Sequence, residues 1–226
     1  MKKITEHVYQ ISLKAVNAFV IEDDGLTLVD TGTPNSADHI LDSIRKGGKD
    51  PKDIRRIILT HAHPDHSGSA AELKRRLGVP VFAHGEDAAL VEKGESGRQP
   101  MTLSPGFLNW LIYQLFIRRA DQRIEAVAVD KRLSDGDLLP GGIMVIHTPG
   151  HSAGHVSLIL EKEGVLIAGD ICANMGGPGL SILYEDRALG LRSIQRVAAL
   201  GFDKAVFGHG KALTEGASEK IKAKFG

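Results

Sequence analysis

A chain of 226 residues with one cysteine, Cys172, and one tryptophan, Trp110, leaves several chemistries unavailable. A lone thiol excludes an internal disulfide and a cysteine-built zinc cage, and it agrees with a reducing compartment, so a cytoplasmic location is expected. Net charge is lacking too, because Lys plus Arg and Asp plus Glu both count 28. There is no basic field to collect nucleic acid and no acidic tail, which points to a small-molecule substrate as the partner. No apolar run reaches the length of a membrane span, and Met1-Lys2-Lys3-Ile4-Thr5-Glu6-His7 lacks the apolar centre of a secretion signal, so no membrane partner is expected. Internal repeats and low-complexity tracts are absent. What remains, 42% apolar and 25% charged residues, suits one sizeable globular core.

Histidine is what the chain concentrates. Leu59-Thr60-His61-Ala62-His63-Pro64-Asp65-His66-Ser67-Gly68 holds three imidazoles and a carboxylate in six residues, directly after the apolar run Ile57-Ile58-Leu59, which reads as a buried strand. On extended backbone, residues two apart point the same way, so His61 and His63 reach one ion, while Asp65 and His66 fall where the chain begins to turn. One loop can therefore serve two metal positions. Neutral imidazole and carboxylate suit zinc, with iron and manganese also accepted.

The surrounding pattern is strand-rich at first: Val8–Ser12, Ala18–Ile21 and Leu26–Asp30, with Asp23-Asp24-Gly25 as a hairpin turn. A helix is expected from Pro34–Asp38 to Gly47-Gly48, and another from Ser67-Gly68-Ser69 to Gly78, before the strand Val79–Ala83. Ile143–Ile146, Val156–Leu160 and Val165–Ala168 form a second strand group, followed by a helix over Arg187–Leu200, a strand Ala205–Phe207 and a C-terminal helix. Two strand groups with flanking helices imply two sheets packed face to face between helical layers in a single domain, residues 1–226, of mixed α/β (α+β) class. A helical insertion at about 92–130 interrupts the order. Its run Phe107–Ile117 is apolar nearly all round, which admits a buried core helix, a lid over substrate, or a homodimer contact.

The motif resembles the signature of the metallo-β-lactamase superfamily. Thr148-Pro149-Gly150-His151, Ala168-Gly169-Asp170, Phe207-Gly208-His209-Gly210 and the early Asp30-Thr31-Gly32 continue that resemblance from about Val8 to His209. It implies a four-layer αββα sandwich, the metallo-β-lactamase fold. It further implies two divalent ions, most simply Zn2+ with Fe or Mn as substitutes. His61, His63 and His151 would hold one, Asp65, His66 and His209 the other, and Asp170 would bridge them. The implied reaction is hydrolysis of a small ester, lactone or thioester by a hydroxide bridging the metals, with Asp65 orienting it and shuttling its proton. Asp30, at a strand end beside the metal loop, would accept a hydrogen bond from a ligand imidazole.

Other residues take plainer readings. Ser152 is a loop hydroxyl, Cys172 a small buried side chain, His7, His39 and His147 structural, and His84 and His155 hydrogen-bonded structural or pocket-lining residues. Because few residues follow His209, the long helical region that carries glutathione contacts in related thioesterases is not expected. Acyl-homoserine lactonases place a tyrosine just after the bridging aspartate, whereas Ile171-Cys172-Ala173-Asn174 has none and Tyr184 is a distant substitute. Two alternatives use the same residues differently: a mononuclear iron-dependent dioxygenase similar to persulfide dioxygenases, in which Asp65, His66 and His209 would be superfluous, and a non-catalytic metal-binding sensor.

Overall fold

Strand Val16–Asp23 is buried on both of its faces, and that sets the layering. Phe19 and Ile21 point one way into a cluster shared with Val145, Leu158 and Ile167 of a second sheet, while Ala18 and Val20 point the other way, onto helices. The period of two along a strand makes this division. The computed structural model describes residues 1–226.

The first sheet has seven strands in the order Lys2–Lys3, Val8–Leu13, Val16–Asp23, Gly25–Val29, Ile54–Ile58, Val81–His84 and Lys131–Leu133. The first four pair antiparallel and the last three join in parallel. The expected hairpin is present, with Asp23 opposite Gly25 and Gly25 at φ +103. The second sheet runs Lys204–Val206, Val165–Ile167, Val156–Leu160, Ile143–His147, Leu138–Leu139, antiparallel except at its first pair. Helices Ala37–Lys46, Ala70–Leu77 and Gly85–Val91 cover the outside of the first sheet with Ile40, Leu41, Ile44, Leu73, Ala88 and Val91. Helices Arg187–Ala198 and Ala217–Phe225 cover the second with Ile194, Val197, Ala198, Ala217 and Ile221. This is a four-layer αββα sandwich.

Boundaries shift where local chemistry requires. The strand expected from Val79 begins at Val81, because Pro80 has no N–H to give a ladder. The helix expected from Pro34 begins at Ala37, with Ser36 as its first flanking residue. Within residues 92–130, Thr102–Leu103 pairs with Leu183–Tyr184, and an α-helix Phe107–Ile112 continues as a π-helical turn Tyr113–Ile117. No residue of that helix is buried; Phe107 is 76% exposed and Phe116 71%, which removes the core reading. No helix is long and apolar enough to cross a membrane.

Candidate metal centre

The loop after strand Ile54–Ile58 is extended through His61, Ala62 and His63, then Pro64 opens a one-turn helix Pro64–Ser67 that carries Asp65 and His66. Proline suits that first helical position because its fixed φ fits and its missing N–H would have had no partner. His151 follows strand Ile143–His147, Asp170 follows Val165–Ile167, and His209 follows Lys204–Val206. All seven side chains meet at one rim of the sandwich.

The donor atoms fall into three overlapping sets in which every atom lies within 4.8 Å of the others: His61, His63 and His151; His61, His66 and Asp170; Asp65, His66 and His209. Asp170 Oδ2 is 3.1 Å from His209 Nε2 and 3.7 Å from His151 Nε2, so it stands between the first and third sets. His61 Nε2, His63 Nε2, His66 Nε2 and Asp170 Oδ1 are buried with no hydrogen-bond partner. Unpaired buried polar atoms cost free energy, and His61, His66 and Asp170, which supply three of these atoms, form one donor set of nitrogen and carboxylate oxygen that fits a divalent cation. The residues present therefore suit the ions that the donor set implies.

The outward nitrogens are tied down. His66 Nδ1 donates to Asp30 Oδ2 at 2.8 Å, His151 Nδ1 to the Leu183 carbonyl at 2.8 Å and His209 Nδ1 to the Ala15 carbonyl at 2.8 Å. His61 Nδ1 donates to Thr60 Oγ1 at 2.9 Å, and that hydroxyl donates onward to Asp30 Oδ2 at 2.8 Å. Each bond leaves Nε2 free to face inward and fixes the ring's orientation. His63 is reversed, with Nδ1 facing His151 Nε2 at 2.9 Å. Asp30, fully buried at φ +61, thus orients two imidazoles at once.

Charge divides the cluster in two. Burial and the neighbouring imidazoles push His61 and His151 well below the usual histidine value, and burial also lowers His63, so this half is neutral. Burial opposes protonation of His66 as well, but Asp170, Asp65 and Asp30 outweigh it and push it up to about 10. His209 rises well above its usual value, again against burial, through Asp170 and Asp65. Asp170 and Asp65 are in turn held well below the carboxylate range, against desolvation, by His66 and His209. Protons occupy the acid-rich half in the absence of a cation.

Three supporting residues had no place in the sequence reading. Asp87, fully buried, accepts from Ala62 N at 2.9 Å, Ser152 Oγ at 2.7 Å and Gly154 N at 2.9 Å, so one carboxylate spans the His61–His66 loop and the His151 loop. Glu185 accepts from Ala153 N at 2.8 Å and Arg98 N at 3.2 Å, and Arg98 also reaches Asp87 Oδ1 at 3.4 Å. The signal for Asp87 was a carboxylate on the same helix face as Ala88, Leu90 and Val91. His155 is structural: its Nδ1 donates to Thr148 Oγ1 at 2.8 Å and its Nε2 accepts from Asp170 N at 2.9 Å, which demands a neutral ring, and burial pushes it down to about 3. Tyr184 OH donates to the Ile171 carbonyl at 2.6 Å and accepts from Ser181 N at 3.0 Å, so its hydroxyl is committed to backbone.

Comparison with known proteins shows the family to which the fold belongs. Residues 12–209 match the family model described as the metallo-beta-lactamase superfamily. The chain is 27% identical over 229 residues to a probable metallo-hydrolase, YflN, of Bacillus subtilis, covering 92% of this chain and 85% of that protein. It is 26% identical over 200 residues to a hydroxyacylglutathione hydrolase of Bdellovibrio bacteriovorus, covering 86% of this chain and 63% of the relative. A metallo-beta-lactamase family protein of Thermus thermophilus aligns in structure with TM-score 0.72 at 26% identity, over 98% of this chain and 79% of that one.

Proposed function

The chain belongs to the metallo-β-lactamase superfamily and is one of its metal-dependent hydrolases, and from that premise we propose that it cleaves a small ester, lactone or thioester at a two-ion site. His61, His63 and His151 would hold the first ion and Asp65, His66 and His209 the second, with Asp170 shared. The observation that carries the reading is the set of buried, unpartnered nitrogens and the carboxylate oxygen converging from separate segments. Five imidazoles and two carboxylates without sulfur favour Zn2+, and tolerate iron or manganese. Bound divalent ions supply Lewis acidity, polarising a carbonyl and bringing the pKa of water to about 7.

The chain's own residues do the rest. Asp30, Thr60, Leu183 and Ala15 hold the imidazoles in the tautomer that presents Nε2 inward. Asp65 is 35% exposed whereas Asp170 is 5%, so Asp65 is the carboxylate that can exchange a proton between the cluster and solvent. With Tyr184 committed to backbone, an acyl-homoserine lactone is disfavoured within the substrate class. Likeness to a hydroxyacylglutathione hydrolase supports a thioester. The lone, buried Cys172 is in keeping with a cytoplasmic setting.

Two measurements test this. Elemental analysis should find about two zinc ions per chain, falling to about one in His209→Ala. Asp170→Ala should abolish turnover across a thioester and lactone panel. Undiminished turnover in that variant would reject the mechanism, and one iron per chain, unchanged in His209→Ala, would favour the dioxygenase reading instead.

A further inference from the structure

The helix Phe107–Ile117 turns a cluster of large apolar side chains to solvent. Phe107, Leu108, Trp110, Leu115 and Phe116 are between 48% and 76% exposed. Exposed apolar residues scattered singly are ordinary, but five within ten residues mark a contact surface. The charge around them is of one sign: from Ser96 to Ala120 the chain carries Arg98, Arg118 and Arg119 and no acidic residue. Arg98 is engaged with Glu86, Asp87 and Glu185, whereas Arg118 and Arg119 are exposed with no carboxylate partner.

We propose that the arm Phe107–Arg119 docks on an anionic lipid surface, with its aromatic and aliphatic side chains in the acyl boundary and Arg118 and Arg119 among the headgroups. Charge selects this occupant over a second copy of the chain. Two such helices packed antiparallel about a two-fold axis would set Arg118 and Arg119 against Pro105 and Gly106 of the other copy, where there is no carboxylate. Asp121, the nearest acid, is already beside Arg123 at 4.0 Å and accepts from its N–H at 3.0 Å. Trp is a residue that settles at the headgroup level, and arginines at the end of an apolar segment are drawn to anionic headgroups. The expectation of no membrane partner rested on the lack of a spanning run and does not bear on a surface helix.

The arm is rooted at the metal centre. An ideal Cβ on Gly97 would lie 3.3 Å from the His63 ring, and Leu103 pairs with Leu183, whose carbonyl accepts from His151 Nδ1. Docking would therefore set the mouth of the site at the lipid boundary, where amphiphilic substrates collect.

Trp110, the sole tryptophan, is a built-in reporter. The metal-loaded full-length protein should co-sediment with vesicles of equal parts phosphatidylcholine and phosphatidylglycerol, with a blue shift in Trp110 emission, and should bind pure phosphatidylcholine vesicles more weakly. Phe107→Ser with Phe116→Ser should reduce binding more than about tenfold. Arg118→Gln with Arg119→Gln should remove the preference for the anionic vesicles. Protein remaining in the supernatant with unshifted emission would overturn the proposal. So would a dimeric mass by light scattering that becomes monomeric in the Phe107→Ser, Phe116→Ser variant, which would give this face to a second copy. Unchanged circular dichroism in both variants guards against misfolding as the cause.

Discussion

Removing the Asp87 carboxylate would strand three donors at once: Ala62 N, Ser152 Oγ and Gly154 N. Each buried donor left without an acceptor costs about 1–3 kcal/mol, so Asp87→Ala should lose about 3 kcal/mol or more in denaturant unfolding. The loops bearing His61, His63 and His151 would lose their common anchor, and zinc affinity should fall about 10–100-fold. Asp87→Asn keeps an acceptor oxygen and should fall between the two. A wild-type zinc affinity in Asp87→Ala would show that the bond serves only folding. Histidine protonation gives a second expectation at this scale. In metal-free protein His66 titrates at about 10, above its unfolded value of 6.5, and His209 is shifted the same way. A histidine raised by folding contributes stability that is fully present below pH 6.5 and is lost as pH climbs towards 10. Metal-free protein should therefore weaken across that alkaline window. Asp65 and Asp170, both lowered, give stability that is lost in acid instead. Zinc uptake at pH 7 must displace the protons on His66 and His209, so calorimetry in buffers of differing ionisation enthalpy should register proton release. Buffer-independent heats would refute this account of the charge.

Elements differ in how clearly the sequence announces them. The loop His61–His66 was legible because its geometry is local: two-residue spacing on extended backbone, then a proline-opened turn. His151, Asp170 and His209 were recognisable only through resemblance, since their convergence depends on sheet topology that no local spacing encodes. Asp87 was hidden because an acid in the first turn of a helix, beside Glu86, reads as ordinary compensation of the helix dipole. The helix Phe107–Ile117 was visible as a helix, but an apolar pattern without a polar face gives no direction of burial. Glycines at the strand ends carry a tighter constraint. A Cβ on Gly208 would overlap Asp170 Oδ1 and come within 2.6 Å of His66 Cε1. Gly208→Ala should displace both side chains and lower zinc content towards one per chain, with the sandwich still folded by circular dichroism. Two retained zinc ions would mean that the loop relaxes without disturbing the ligands.

For the whole molecule, the sandwich core and the metal cluster are stabilised by different means. Phe19, Ile21, Val145 and Leu158 are buried between the sheets whether or not ions are bound, so the core does not depend on them. The rim does, because it gathers the unpartnered His61 Nε2, His66 Nε2 and Asp170 Oδ1 and the Asp65, Asp170, His66 and His209 charges where the strands end. Cations that bind only the folded chain stabilise it by mass action, about 2.7 kcal/mol for each ion at a free concentration of 100 times its Kd. Chelation should therefore lower the melting temperature by about 10–20 °C for two such ions without abolishing the transition, at about 2–4 °C for each kcal/mol lost in a chain of this size. In His209→Ala, where the second position is impaired, chelation should produce a smaller shift than in wild type. An equal shift in both proteins would mean that one ion supplies all of the stabilisation and that the Asp65, His66, His209 set contributes no binding energy.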